Sequence, residues 1–194
     1  DVYKRQEYRE LQKLCLTILQ RHKHYIGNGR EKIHGILFDG AWLWEEYIDT
    51  LVSTDFYHPK NKGGSGSQRL FSRHLGTKIG LVYPDFIGRN QENRIIADAK
   101  YKPIQNIANR DYLQVLAYMF RFDAKTGYYF YPNHKETRDE VLYLNQGVSY
   151  ERNVQMREDI KVTKLGLAIP KEVENYKDFS KKMKKAEQAF LAKI

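Results

Sequence analysis

The chain of 194 residues has a single cysteine, Cys15, which excludes a disulfide framework and a cysteine zinc site. Its six histidines are scattered, and His22 and His24 read as solvated rather than as ligands. No apolar run approaches the roughly 20 residues that span a bilayer as a helix, and no secretory leader is visible, so the sequence predicts a soluble, cytoplasmic chain with no membrane partner. There is no internal repeat of the kind that builds solenoids. The phosphate-cradling pattern G-x-x-x-x-G-K-[ST] is also missing, so any nucleotide hydrolysis must come from a partner. Acidic residues are in the minority: 33 Lys and Arg against 24 Asp and Glu leave a net charge of +9 and a pI near 9.4. That balance points to a polyanionic partner.

What is present fits one globular domain, with 41% hydrophobic and 13% aromatic residues. The chain opens without methionine, which predicts a fragment of a longer protein. Tyr8, Leu11, Cys15, Ile18 and Leu19 recur at helical spacing, and His24 to Arg30 reads as a loop. We expect residues 1–31 to be an N-terminal helix and linker, 32–170 the main domain, and 171–194 a C-terminal amphipathic helix packing on it. Asp39 is a plausible N-cap for AWLWEEYIDTLV, with Leu43, Trp44, Tyr47, Ile48 and Leu51 as the buried stripe. Glu45 lies on the side of Ile48 and Val52, whereas Glu46 lies with Thr50 and Ser53. Lys60 to Gln68, KNKGGSGSQ, is flexible by composition and is either a connector or a loop that follows a phosphate backbone. Arg69 to Leu75 reads as a short strand.

The centre of the chain is Tyr83 to Lys102, YPDFIGRNQENRIIADAKYK. Ile79 to Ile87 is one apolar run, Arg89 to Asn93 a polar turn, and Arg94 to Tyr101 a second run. A hairpin about Gln91 sets Asp85 opposite Asp98. Along the second strand Ile96, Asp98 and Lys100 share one face, and Ile95, Ala97, Ala99 and Tyr101 share the other. Apolar residues on both faces predict a central strand. An acid and a lysine on a buried strand must be paired or put to use, because unpaired charges are expensive to desolvate. Two converging carboxylates repel, and a hard divalent ion relieves the repulsion. Mg²⁺, held by one or two carboxylates together with phosphate oxygens, fits best. Lys100 then positions or activates a water, or stabilises charge on phosphoryl oxygens.

A second long helix is expected from about Asn109 to Phe122. One apolar face is made by Leu113, Leu116, Ala117 and Phe120, another by Val115, Met119 and Phe122. Between them Arg110, Gln114, Tyr118 and Arg121 fall in an arc of about 80°. Gly127 to Pro132, Glu140 to Asn145 and Ile160 to Ile169 read as strands. The last helix carries Phe179, Met183, Ala186, Phe190 and Leu191 as its stripe. Its lysines, Lys181, Lys182, Lys184 and Lys185, read as a solvated face or as DNA contacts.

Pro84-Asp85, twelve intervening residues and Asp98-Ala99-Lys100 resemble the PD-(D/E)XK nuclease superfamily. Gln114 and Tyr118 resemble the Q-x-x-x-Y motif that follows the Asp-x-Lys strand in one branch of it. More narrowly, HGILFDGAWLWEEY, YPDFIG, IIADAKYKP and DYLQVLAYMFRFDAKTGYYFYP resemble the McrC-type nuclease subunits of McrBC-type, methylcytosine-dependent restriction systems, including the related LlaJI group. The likeness spans about Lys32 to Pro132. It implies an α/β PD-(D/E)XK restriction-endonuclease-like core with a mixed central sheet flanked by helices, and a Mg²⁺-dependent DNA endonuclease for which Mn²⁺ substitutes. It further implies a metal site of Asp85, Asp98, the Ala99 carbonyl and Glu45, with Glu46 as the alternative third acid. Lys100 completes the catalytic set, and Gln114, Tyr118, Arg110 and Arg121 contact substrate. The implied partners are DNA and an McrB-like AAA+ GTPase. A stand-alone repair or junction nuclease, and a silent DNA-binding module of the same fold, are the alternatives.

Overall fold

The computed structural model describes residues 39–59, 61, 64–72, 79–134, 138–147 and 154–194. The chain divides into two units, Asp1–Asp39 and Gly40–Ile194, and the description that follows is of the second. The expected helix at Tyr8 to Leu19 and the loop after it lie outside the described residues.

The elements in order are α1 (Gly40–Val52), β1 (Phe56–Tyr57), β2 (Gln68–Phe71), β3 (Ile79–Val82), β4 (Phe86–Gly88) and β5 (Ile95–Ala99). A 3₁₀ turn (Ile104–Asn106) then leads to α2 (Asn109–Phe122), β6 (Thr126–Asn133), β7 (Glu140–Gln146), β8 (Gln155–Ala168) and α3 (Tyr176–Leu191). Six strands form a mixed sheet in the order β1-β4-β5-β6-β8-β7. β5, β6 and β8 run parallel, while β1, β4 and β7 are antiparallel to their neighbours. The β5–β6 pair needs a crossover, and α2 supplies it.

Alternation along the strands sorts the core into two layers. In β6, Tyr128 and Phe130 pack with Trp44, Ile48, Phe86, Leu165, Met183 and Phe190, so α1 and α3 cover that face. Tyr129 and Tyr131 point the other way, to Ile96, Val115, Tyr118 and Met119, under α2. The close approach of α2 requires Gly127, where a Cβ would meet Met119 Sδ at 2.7 Å and Val115 Cγ1 at 3.0 Å. α3 starts at Asn175, whose Oδ1 accepts the Asp178 N–H at 3.0 Å as an N-cap.

Three expectations need correction. The run Ile79 to Ile87 is two strands in two sheets: among the described residues β3 pairs only with β2, in a separate two-stranded ribbon, and β4 joins the main sheet. Pro84 sits at the break, and with no N–H it cannot donate to a ladder. The buried stripe of α1 is Trp44, Ile48 and Val52, while Leu43 is exposed. In α2 one of the two expected apolar faces is split: Leu116 packs against the core, whereas Leu113 and Phe120 are 62% and 85% exposed.

Candidate active site

β4 and β5 form the expected hairpin, with Phe86 opposite Ala97 and Ile87 opposite Ile96. The turn is held by Asn90, whose Oδ1 accepts the N–H groups of Glu92 (3.0 Å) and Asn93 (3.2 Å). Continuing the register places Asp85 against Asp98. The Asp85 carboxylate accepts the Ala99 N–H at 2.9 Å, across the same hairpin.

Asp98 shares the α2 face with Ile96 and is 1% exposed. Lys100 Nζ lies 2.5 Å from Asp98 Oδ2, whereas Asp98 Oδ1 is buried with no hydrogen-bond partner. Burial pushes the Asp98 carboxyl above its ordinary range, and Lys100 offsets this only in part. Asp85 is driven well above that range by burial, then by the charges of Asp98 and Glu45. Burial works to lower the Lys100 pKa, but Asp98, Asp85 and Asp111 outweigh it and hold the ammonium above the usual lysine value. Lys100 is therefore a cation at neutral pH.

A directional chain of hydrogen bonds leaves Lys100. Its Nζ donates to Gln114 Oε1 at 3.1 Å, Gln114 Nε2 donates to the Tyr118 hydroxyl at 2.6 Å, and that hydroxyl donates to the Tyr83 carbonyl at 3.0 Å. The four-residue spacing of Gln114 and Tyr118 puts them one turn apart on α2, so both reach the hairpin from above. Tyr118 is 2% exposed, and its hydroxyl is committed to these two partners. Arg110 and Arg121 on the same helix are exposed. Arg121 Nε donates to the Arg69 carbonyl at 2.5 Å, joining the end of α2 to the ribbon.

Glu45 stands nearer the acids than Glu46: its side chain is 25% exposed against 43%, and its charge is felt at Asp85. Among the described residues no group of three or more His, Cys, Asp or Glu is close enough to hold a metal ion. The fit to a hard divalent cation thus rests on two carboxylates, one with an unpartnered buried oxygen and both destabilised as anions. That donor set suits Mg²⁺, which keeps much of its water.

Three contributors carried no periodic signal. Asp111 accepts from Lys102 Nζ at 2.7 Å and from the Ala108 N–H at 2.9 Å, and lies 3.6 Å from Lys100 Nζ. Its acidic character at the third position of a helix was the one available clue. Lys102 is the second cation of that cluster. His58, just after β1, donates from Nδ1 to the Asp85 carbonyl at 2.7 Å.

No curated protein matches the chain. Among the described residues no helix is long and apolar enough to cross a membrane. The family model for the McrBC 5-methylcytosine restriction system component matches residues 3–132, well over half of the length. The residues of the site, from α1 to Pro132 in β6, fall inside that match, and the chain belongs to the McrBC family of restriction-system components.

Proposed function

We propose that this chain is the nuclease subunit of a modification-dependent restriction system, and that it hydrolyses DNA phosphodiester bonds at a PD-(D/E)XK site. The observation that carries the reading is Asp98: a buried carboxylate with one orphaned oxygen, facing a second acid and touching a lysine. Such an arrangement is costly for the fold and is expected where charge is used. Asp85, Asp98 and the Ala99 carbonyl would hold Mg²⁺, and Glu45, whose charge is felt at Asp85, would complete the site. When bound, the ion polarises the scissile phosphate and lowers the pKa of a water.

The chain's own residues do the rest. Lys100, held as a cation by Asp98, Asp85 and Asp111 and oriented by Gln114, donates to the attacking water or to a phosphoryl oxygen, where negative charge grows as the new P–O bond forms and the old one breaks. Gln114 and Tyr118 keep Lys100 in register with the Tyr83-Pro84-Asp85 segment, so lysine and acid move as one unit. Arg110 and Arg121 meet the DNA backbone from the exposed side of α2. Recognition of the modified base and translocation belong to a partner, an McrB-like AAA+ GTPase. Mn²⁺ titration by calorimetry tests the site without partner or DNA. Wild type should bind, and Asp98→Ala, with an unchanged circular dichroism spectrum, should not. Equal affinity in the two would contradict the assignment.

A further inference from the structure

Among the described residues after β1, His58 and Asn61 lie outside the strands, and each makes a side-chain contact to one short stretch of backbone. Asn61 Nδ2 donates to the Pro84 carbonyl at 3.0 Å, and His58 Nδ1 lies 2.7 Å from the Asp85 carbonyl. Those two carbonyls belong to the link between β3 and β4, where the backbone is in neither sheet. A carbonyl can only accept, so Nδ1 of His58 carries the hydrogen. The ring is fixed by stacking on buried Phe86, with centroids 5.0 Å apart and planes at 30°. Its other nitrogen, Nε2, then faces α1, 3.6 Å from Glu45 and 3.9 Å from Glu46. The imidazole thus stands between the acids of α1 and the backbone of Asp85, while the Ala99 N–H holds the Asp85 carboxylate from the opposite side.

We propose that His58 is a positioning residue for the metal site: by clamping the Asp85 carbonyl and abutting Glu45, it fixes how the Asp85 carboxylate is presented to a divalent cation. This rests on the reading of Asp85 and Asp98 as metal ligands. A histidine that merely fills space would tolerate any replacement that preserves the fold. A positioning histidine would not, because groups that orient a ligand carry much of a metal site's affinity.

Two replacements separate the roles. Asparagine puts an N–H near the place of Nδ1 and keeps the clamp on Asp85; glutamine puts its amide near Nε2 and releases the clamp. Mn²⁺ affinity is read from the free-ion signal in electron paramagnetic resonance, together with the melting temperature of each variant without metal. We expect His58→Ala and His58→Gln to bind Mn²⁺ about 10-fold more weakly, at the lower end of what such orienting partners contribute. His58→Asn should recover most of the wild-type affinity. If alanine or glutamine binds as wild type does, or if asparagine binds as poorly as alanine, the proposal is overturned. Should alanine fail to fold, the asparagine and glutamine pair decides. Absence of Mn²⁺ binding in wild type would instead remove the metal-site reading and this proposal with it.

Discussion

Replacing Asp85 by asparagine should stabilise the metal-free protein. Asparagine keeps an oxygen for the Ala99 N–H, which Asp85 accepts at 2.9 Å, and turns the other oxygen into a donor aimed at Asp98 and Glu45. What is lost is a half-buried charge among like charges. An unpaired buried polar group costs about 1–3 kcal/mol, and more when charged. For a domain of this size each kcal/mol moves the melting temperature by about 2–4 °C, so the variant should melt about 2–12 °C higher in chelator at neutral pH. The sign with pH follows from the raised carboxyl. The folded state binds the Asp85 proton more tightly than the unfolded state, whose carboxyl keeps its ordinary value of 3.8. Its penalty is absent below that value, grows as pH rises toward the folded-state pKa, and is complete above it. The advantage of the variant should therefore shrink as pH falls through the raised folded-state pKa toward 3.8. Saturating Mn²⁺ should reverse the order, since a ligand at 100 times its dissociation constant stabilises wild type by about 2.7 kcal/mol. Differential scanning calorimetry reads all three comparisons. An Asp85→Asn protein that melts several degrees below wild type in chelator, with a gap indifferent to pH, would refute the reasoning.

Asp111 should behave in the opposite way, because Lys102 and the Ala108 N–H outweigh its burial and hold its carboxyl below the usual range. Its contribution is present above the unfolded-state pKa and is lost as pH falls through the folded one, so Asp111→Asn should cost about 1–3 kcal/mol in urea unfolding at neutral pH and progressively less below about pH 4. Gly127→Ala forces a Cβ to 2.7 Å from Met119 Sδ and 3.0 Å from Val115 Cγ1; a loss of about 1–3 kcal/mol in the same assay is expected, and an unchanged midpoint would show that α2 can shift without cost.

The hairpin was legible because its signals agree. Two apolar runs flank a polar turn, and the two-residue period puts Asp98 and Lys100 on one face, where the contact between them is found. The burial of Gly127 to Pro132 was equally plain, since a strand covered on both faces shows no polar alternation. Other features depend on tertiary context. The break at Pro84 was hidden because Ile79 to Ile87 is apolar throughout, and only pairing partners tell one strand from two. The rotation of the α1 stripe toward Val52, with Leu43 outside, depends on where Phe86 and Phe130 sit beneath it. His58 and Asp111 act through contacts to backbone carbonyls, lysines and an amide, for which no spacing rule exists. Leu113 and Phe120 looked like core by periodicity, and in the described unit they face outward.

The central claim is that the acids and lysine of this hairpin cut DNA. Its most direct test is cleavage of a 5-methylcytosine-bearing plasmid by the full chain with the proposed McrB-like GTPase, GTP and Mg²⁺, comparing wild type with Asp98→Ala and Lys100→Met. Wild type should linearise the plasmid. Both variants should assemble and bind as wild type does yet cut more slowly by about a hundred- to a thousandfold, the scale on which loss of charge stabilisation at a reacting centre is felt. Cleavage by Asp98→Ala at the wild-type rate would contradict the account.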